Sequence, residues 1–161
     1  MKKIINPFVH VPDYKCFGCS PDNPFGLKMK FHEDGDHIIC LWTPEHHFNG
    51  YLGVLHGGIQ STLMDEIASW LVLIKLKTSG VTQKMEINFK KPALSNKGAF
   101  TLKASLVSVK KRLAEIDVEL LDGNKMVCST AKVHYFVYPE KIAREKLWFP
   151  GYEAFFEKEE Q

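Results

Sequence analysis

The chain has little that would direct it outside the cell, across a membrane or onto nucleic acid. It sets 21 Lys and Arg against 19 Asp and Glu, a formal charge of +2, so no surplus of one sign creates a whole-protein field for nucleic acid. Its opening, MKKIINPFVHVPDY, has two lysines but no apolar run before Asn6 and Pro7, which argues against a secretory leader. The longest apolar stretch is interrupted by Gln60, Asp65, Glu66 and Lys75, which argues against a membrane span. The only cysteines are Cys16, Cys19, Cys40 and Cys128. One C-x-x-C pair, with no second pair and no histidines at ligand spacing, is too little for a zinc site, so the expectation is reduced cytoplasmic thiols, no metal and no cofactor. Internal repeats and low-complexity segments are absent.

What remains is ordinary for a single globular domain of 161 residues. The chain is 45% hydrophobic and 25% charged, with eleven Phe and three Trp to fill a core. The organising stretch is Leu55 to Leu76, apolar at Ile59, Leu63, Ile67, Trp70, Leu71 and Ile74. That spacing predicts a helix buried on most sides. At about 100° per residue, Leu63, Ile67, Trp70 and Ile74 fall opposite Asp65, whereas Gly58, Ser61, Thr62 and Ser69 fall within about 60° of it. Asp65 therefore heads a polar seam. The seam starts at His56-Gly57-Gly58, where the first turn leaves backbone N–H groups unpaired at the positive end of the helix dipole. Two glycines let an oxygen-bearing ligand approach those donors. A carbonyl oxygen held there lies roughly two turns, about 10 Å, along the axis from Asp65, so a carboxylate from a second copy of the chain is better placed to reach it.

Around this helix the pattern is that of strands. Residues 1-25 read as an irregular arm broken by Pro7, Pro12, Pro21 and Pro24. Leu27, Met29 and Phe31 alternate with Lys28 and Lys30, and Asp34-Gly35 turns into His37 to Trp42, a hairpin signal. Thr78-Ser79-Gly80 is expected to end the helix. Four strands follow: Met85, Ile87 and Phe89; Phe100, Leu102, Ala104 and Leu106; Ile116, Val118 and Leu120; then, after the Asp122-Gly123 turn, Val127, Ala131, Val133, Tyr135 and Val137 mostly inward. Two strands, one long helix and four strands, without βαβ alternation, mean an antiparallel sheet with a helix on one face. Beyond Pro139, a short amphipathic helix is expected from Glu140 to Phe149. The rings Trp148, Phe149, Tyr152, Phe155 and Phe156 should dock on their own chain or a neighbour, ahead of an acidic end.

The run His56-Gly57-Gly58, Ser61 and Asp65 resembles the signature of hotdog-fold acyl-CoA thioesterases of the phenylacetate-pathway type, within the 4-hydroxybenzoyl-CoA thioesterase-like superfamily. The segments Gly50 to Gly58, Val81 to Phe89 and Lys91-Pro92-Ala93 agree with it, and Cys16 to Leu27 resembles a leader found on some of these enzymes. The resemblance implies an α+β hotdog fold over residues 26-138, with the sheet wrapped around the helix, and leaves 139-161 as an extension. It also implies a homodimer or dimer of dimers (a homotetramer), acyl-CoA as substrate, and an active site shared between chains. By the same resemblance Gly57 N–H polarises the carbonyl and Asp65 is base or nucleophile, while Ser69 and Thr82 match hydroxyl positions that place water and Asn49 resembles a pocket amide. His56 is read as holding the turn, Gly58 and Thr62 as lining the substrate, and Glu66 as pairing elsewhere. Coenzyme A carries phosphates, for which Lys110-Lys111-Arg112 and the Lys90-Lys91 turn are the candidate contacts.

Two other readings compete. His47-Phe48-Asn49-Gly50 resembles the His-Phe-Pro-Gly element of hotdog hydroxyacyl-thioester dehydratases, but the proline is missing and the acid spacing does not fit. A non-catalytic acyl-CoA-binding protein would need no Asp65.

Overall fold

The computed structural model describes residues 1–157; within the acidic end, residues 158–161 lie outside the described residues. Helix α1 spans Gly57–Lys75, with His56 as its N-cap. Leu63, Ile67, Trp70 and Ile74 are all buried, and so are Met64, Ala68, Leu71, Val72 and Leu73. The helix is thus enclosed on nearly every side, while Ser61, Asp65 and Ser69 on the polar seam are only half-buried. Its end differs from the expected stop. Lys77 takes the left-handed conformation at φ 53°, and Gly80 already belongs to the next strand, where a Cβ would meet the Phe136 carbonyl oxygen at 2.2 Å. The glycine serves strand packing rather than the helix terminus.

Strands β1 (Lys2–Lys3), β2 (Phe31–Asp34), β3 (His37–Trp42), β4 (Gly80–Phe89), β5 (Phe100–Lys110), β6 (Leu113–Leu121) and β7 (Val127–Val137) form one antiparallel sheet in the order β1-β2-β3-β5-β6-β7-β4. Helix α1 packs against β3, β4, β5, β6 and β7, so the sheet wraps one long helix in the α+β hotdog arrangement. Phe100, Leu102 and Ala104, Ile116, Val118 and Leu120, and Ala131, Val133, Tyr135 and Val137 supply the buried face, as period-two alternation requires. Both Asp-Gly turns form. At the second, the Asp122 carboxylate accepts the Asn124 and Met126 N–H groups at 2.9 and 3.0 Å. Those bonds, with Lys91 beside them, hold its carboxyl below the usual range.

Several elements depart from the periodicity. β1 is two residues long, too short for any alternation, yet it adds a strand to β2. Leu27 and Met29 are buried as expected, but their N–H groups donate to Phe17 and Gly18 carbonyls at 2.7 and 2.9 Å. The arm captures that backbone, so β2 starts only at Phe31. In β5 a register shift between Leu106 and Ser108 turns the strand, leaving Leu106, Val107 and Val109 exposed. After β7, helix α2 (Glu140–Lys146) stops short of the expected Phe149. The tail then docks on its own chain: Phe149, Phe155 and Phe156 are buried, and Phe155 meets Phe8 and Trp70 edge-on at 5.9 and 5.8 Å. Trp148 alone of the five rings stays largely exposed.

One turn is tight enough to test alone. A Cβ at Gly123 would lie 1.6 Å from the Lys97 carbonyl oxygen, so Gly123→Ala must displace backbone. The expected cost is about 1–3 kcal/mol, the range for overpacking, seen as a lower Tm by calorimetry. An unchanged Tm would show that the 97–98 loop yields freely.

Candidate active site

At Asp65 the structure gathers a carboxylate and three hydroxyls. Thr82 Oγ1 donates to Asp65 Oδ1 at 2.6 Å, joining α1 to β4. Thr82 is also the register partner of Tyr135 on β7. Burial raises the Tyr135 phenol above its ordinary pKa, the nearby Ser69 and Thr82 hydroxyls oppose that rise, and the Asp65 carboxylate adds to it. Tyr135 was legible in the sequence only as an inward residue of a strand; its place in this cluster follows from the β4–β7 register. With one Asp65 oxygen fixed by Thr82, the other is free to accept a proton or attack a carbon.

The second constellation sits at the start of α1. His56 Nδ1 accepts the Gly58 N–H at 2.8 Å, a bond within the turn. A Cβ on Gly58 would come within 3.1 Å of that ring. The His56 carbonyl accepts the Gln60 N–H at 3.0 Å. Among the described residues no hydrogen bond takes up the Gly57 N–H. Gly57 lines a groove of about 690 Å³ with Gly50, His56, Phe89, Lys90 and Lys91 among others. Asn49 bridges to Leu55 beside this groove, and its Oδ1 is buried with no hydrogen-bond partner. A buried acceptor left unpaired is costly, and a ligand N–H would relieve it. Gln60 also reaches the groove, but its amide is satisfied by the Leu55 carbonyl at 3.0 Å and by Ser129 Oγ at 2.9 Å.

The remaining candidates fall elsewhere. Thr62 Oγ1 donates to the Gly58 carbonyl at 3.0 Å, a bond within the helix that gives it a structural use. Lys110, Lys111 and Arg112 form the exposed β5–β6 turn. Lys111 and Arg112 border a depression shared with Lys77 and Thr78, at the far end of α1. The helix has 19 residues, about 28 Å, so the two basic clusters stand at opposite ends of it. Within one chain, then, Gly57, His56 and Lys90 come together, as do Asp65, Ser69 and Thr82. None of the Asp65 group lines the Gly57 groove. Glu66, next to Asp65, turns the other way and bonds Trp70 Nε1 at 3.1 Å and Cys16 Sγ at 3.4 Å.

Comparison with known proteins bears on the fold and on the central segment of the chain. A family model described as the thioesterase superfamily matches residues 52–129. A curated protein of Saccharolobus solfataricus, provisionally named an esterase, is 37% identical over 97 residues, which is 59% of this chain and 63% of that protein. The match therefore spans less than two thirds of the relative's length. Among solved structures, the Streptococcus mutans protein smu.793 bound to acetyl CoA superposes with a TM-score of 0.65 at 22% identity, covering 81% of this chain and 98% of that one. A Streptococcus pneumoniae hypothetical thioesterase with coenzyme A gives 0.63 at 24% identity, covering 70% and 87%. At such identity these two speak for the fold alone. Residues 52–129 are thus similar to the thioesterase superfamily, and the chain as a whole shares the hotdog fold of these solved structures.

Proposed function

We propose that the protein hydrolyses an acyl-CoA thioester to coenzyme A and a carboxylic acid, at sites shared between two copies of the chain. The observation that supports this best is the position of strand β4. It ends the sheet order, and its residues Val81, Thr82, Gln83, Lys84, Glu86, Asn88 and Phe89 are exposed. A ten-residue edge with Val81 and Phe89 open to solvent is a template for pairing with another strand. Thr82, which holds Asp65, lies near one end of β4. Phe89, whose ring would sit 3.6 Å from a Cβ on Gly57, lies at the other. Antiparallel pairing of two β4 strands about their middle sets Thr82 of one chain opposite the Ile87 to Phe89 end of the other. That brings Asp65 toward the partner's Gly57.

In this site the thioester carbonyl oxygen accepts the Gly57 N–H, a donor already aimed and unpaired. Asp65, oriented by Thr82, either takes a proton from water as the water oxygen attacks the carbonyl carbon, or attacks that carbon itself to give an anhydride that water opens. In both cases the tetrahedral oxyanion is stabilised at Gly57 and the carbon–sulfur bond breaks, releasing CoA as thiolate. Ser69 and Tyr135 flank the position where water stands. The solved relatives named with coenzyme A or acetyl CoA support the choice of substrate class. Lys90, in the Gly57 groove, is the nearer phosphate contact, and the Lys110 to Arg112 turn takes part only as a contribution from a neighbouring chain. No helix of the described residues is long and apolar enough to cross a membrane. Cys16, Cys19, Cys40 and Cys128 form no disulfide among the described residues, and we place the protein in the cytoplasm.

Asp65→Asn preserves shape and removes the charge, so CoA release followed with a thiol reagent should fall by at least ~10²-fold while acyl-CoA binding is kept. Release within a few-fold of the unaltered protein would contradict the role of Asp65, and binding without release in the unaltered protein would make it an acyl-CoA binder. The phosphate contact is tested separately. Lys90→Ala should raise KM for acyl-CoA but not for an acyl-pantetheine lacking the nucleotide, and the unaltered KM should rise with salt. Replacing Lys110, Lys111 and Arg112 together should change KM less than Lys90→Ala does, and a loss shared equally by both substrates would rule out a phosphate role for either cluster.

A further inference from the structure

The N-terminal arm reverses at Cys16-Phe17-Gly18-Cys19, closed by a Ser20 N–H to Cys16 carbonyl bond of 3.1 Å. This turn is pressed onto Glu66 of α1. A Cβ at Gly18 would lie 2.4–2.6 Å from the Glu66 carboxyl group, so glycine alone permits the approach. The result is that Cys16 Sγ, Cys19 Sγ and a Glu66 carboxylate oxygen all lie within 4.8 Å of one another. Cys16 Sγ to Glu66 Oε1 is 3.4 Å.

Among the described residues no cation is hydrogen-bonded to the cluster. The other groups that meet it are Tyr14, whose hydroxyl is 2.8 Å from Cys19 Sγ, and Trp70, whose indole N–H donates to Glu66. The adjoining cavity of about 240 Å³ is walled by residues such as Phe8, Ser69 and Trp148 and contains no Lys, Arg or His. Acid-forming groups gathered at least half out of water without a cation either hold protons or bind a metal.

Three features select the second outcome. Two thiolates and a carboxylate are a ligand set for zinc-class ions. In a tetrahedral site with bonds of about 2.3 Å to sulfur and about 2.1 Å to oxygen, ligand atoms stand about 3.6–3.8 Å apart; Cys16 Sγ and Glu66 Oε1 are 3.4 Å apart, and all three atoms lie within 4.8 Å of one another. The Tyr14 hydroxyl against the Cys19 sulfur, itself contacted by Asn6 at 3.3 Å, is the kind of outer-layer bond that metal thiolates use. We propose that Cys16, Cys19 and Glu66 bind a zinc-class divalent cation, which ties the N-terminal arm to α1. The fourth position opens toward the adjoining cavity, where water completes the set. This proposal does not depend on thioester hydrolysis. It departs from the no-metal expectation because the third ligand lies 50 residues beyond Cys16, where no spacing rule would look.

Cobalt is the probe. The full chain, produced in cobalt-supplemented medium and purified without chelator, should carry about one cobalt per chain by elemental analysis. It should show thiolate-to-cobalt charge transfer in the near ultraviolet and the visible bands of a four-coordinate site, both lost when zinc is added. Cys16→Ser with Cys19→Ser should abolish metal and bands, and Glu66→Gln should weaken retention by at least ~10-fold. If these variants fail to fold, the spectrum of the unaltered protein decides alone. Less than about a tenth of a cobalt per chain with no charge-transfer band, or a Cys16–Cys19 disulfide in protein kept under reductant, would overturn the proposal.

Discussion

The constraint on which this structure turns is that its central helix is almost wholly buried yet carries two adjacent carboxylates. Ten of the 19 residues of α1 are buried, and Asp65 and Glu66 sit in their midst. Neighbours on a helix point about 100° apart, so the two acids cannot share a solution. Asp65 faces β4 and is met by Thr82 at 2.6 Å; Glu66 faces the arm and is met by Cys16 and Trp70. Each acid thereby recruits a different part of the chain. The edge strand and Tyr135 are organised around the first, and the Cys16 to Cys19 turn around the second.

The same division explains the shape of the candidate site. Because the polar seam runs along the helix rather than around it, the free Gly57 N–H and the Asp65 carboxylate are separated within one protomer. The Gly57 groove is lined by the end of β4 that carries Phe89, and the Asp65 group by the end that carries Thr82. In the proposed dimer, an antiparallel pairing of that edge would join the two halves. Exposure of apolar β4 residues, a hazard in a monomer, would then be the means by which a complete site is assembled.

Much of this was readable from residue order. The alternation of Phe100, Leu102 and Ala104 or of Ile116, Val118 and Leu120 has one burial solution, and the Asp-Gly pairs at 34–35 and 122–123 mark the turns they make. The His56-Gly57-Gly58 start of α1 and the seam headed by Asp65 followed from helical spacing. What escaped depends on long-range pairing. β1 has too few residues to show a period, and Leu27 to Lys30 is drawn off its strand by carbonyls of the arm. Tyr135 enters the Asp65 cluster through a register that no local signal encodes. The division of the two basic clusters between the ends of α1, and the meeting of Glu66 with Cys16 and Cys19, likewise exist only once the chain is folded.

The central claim is that each site takes Gly57 from one chain and Asp65 from another, and mixed dimers test it most directly. Gly57→Pro removes the N–H at a position where proline is tolerated in a first helical turn and where a Cβ meets only ordinary contacts with Phe89. Asp65→Asn removes the carboxylate. Each variant alone should be inactive. Unfolded and refolded together, they should form heterodimers in which both lesions fall in one site and the other is intact, restoring roughly a quarter of the unaltered thiol release. Absence of recovery in samples shown by native mass spectrometry to contain heterodimers would contradict a site built from two chains.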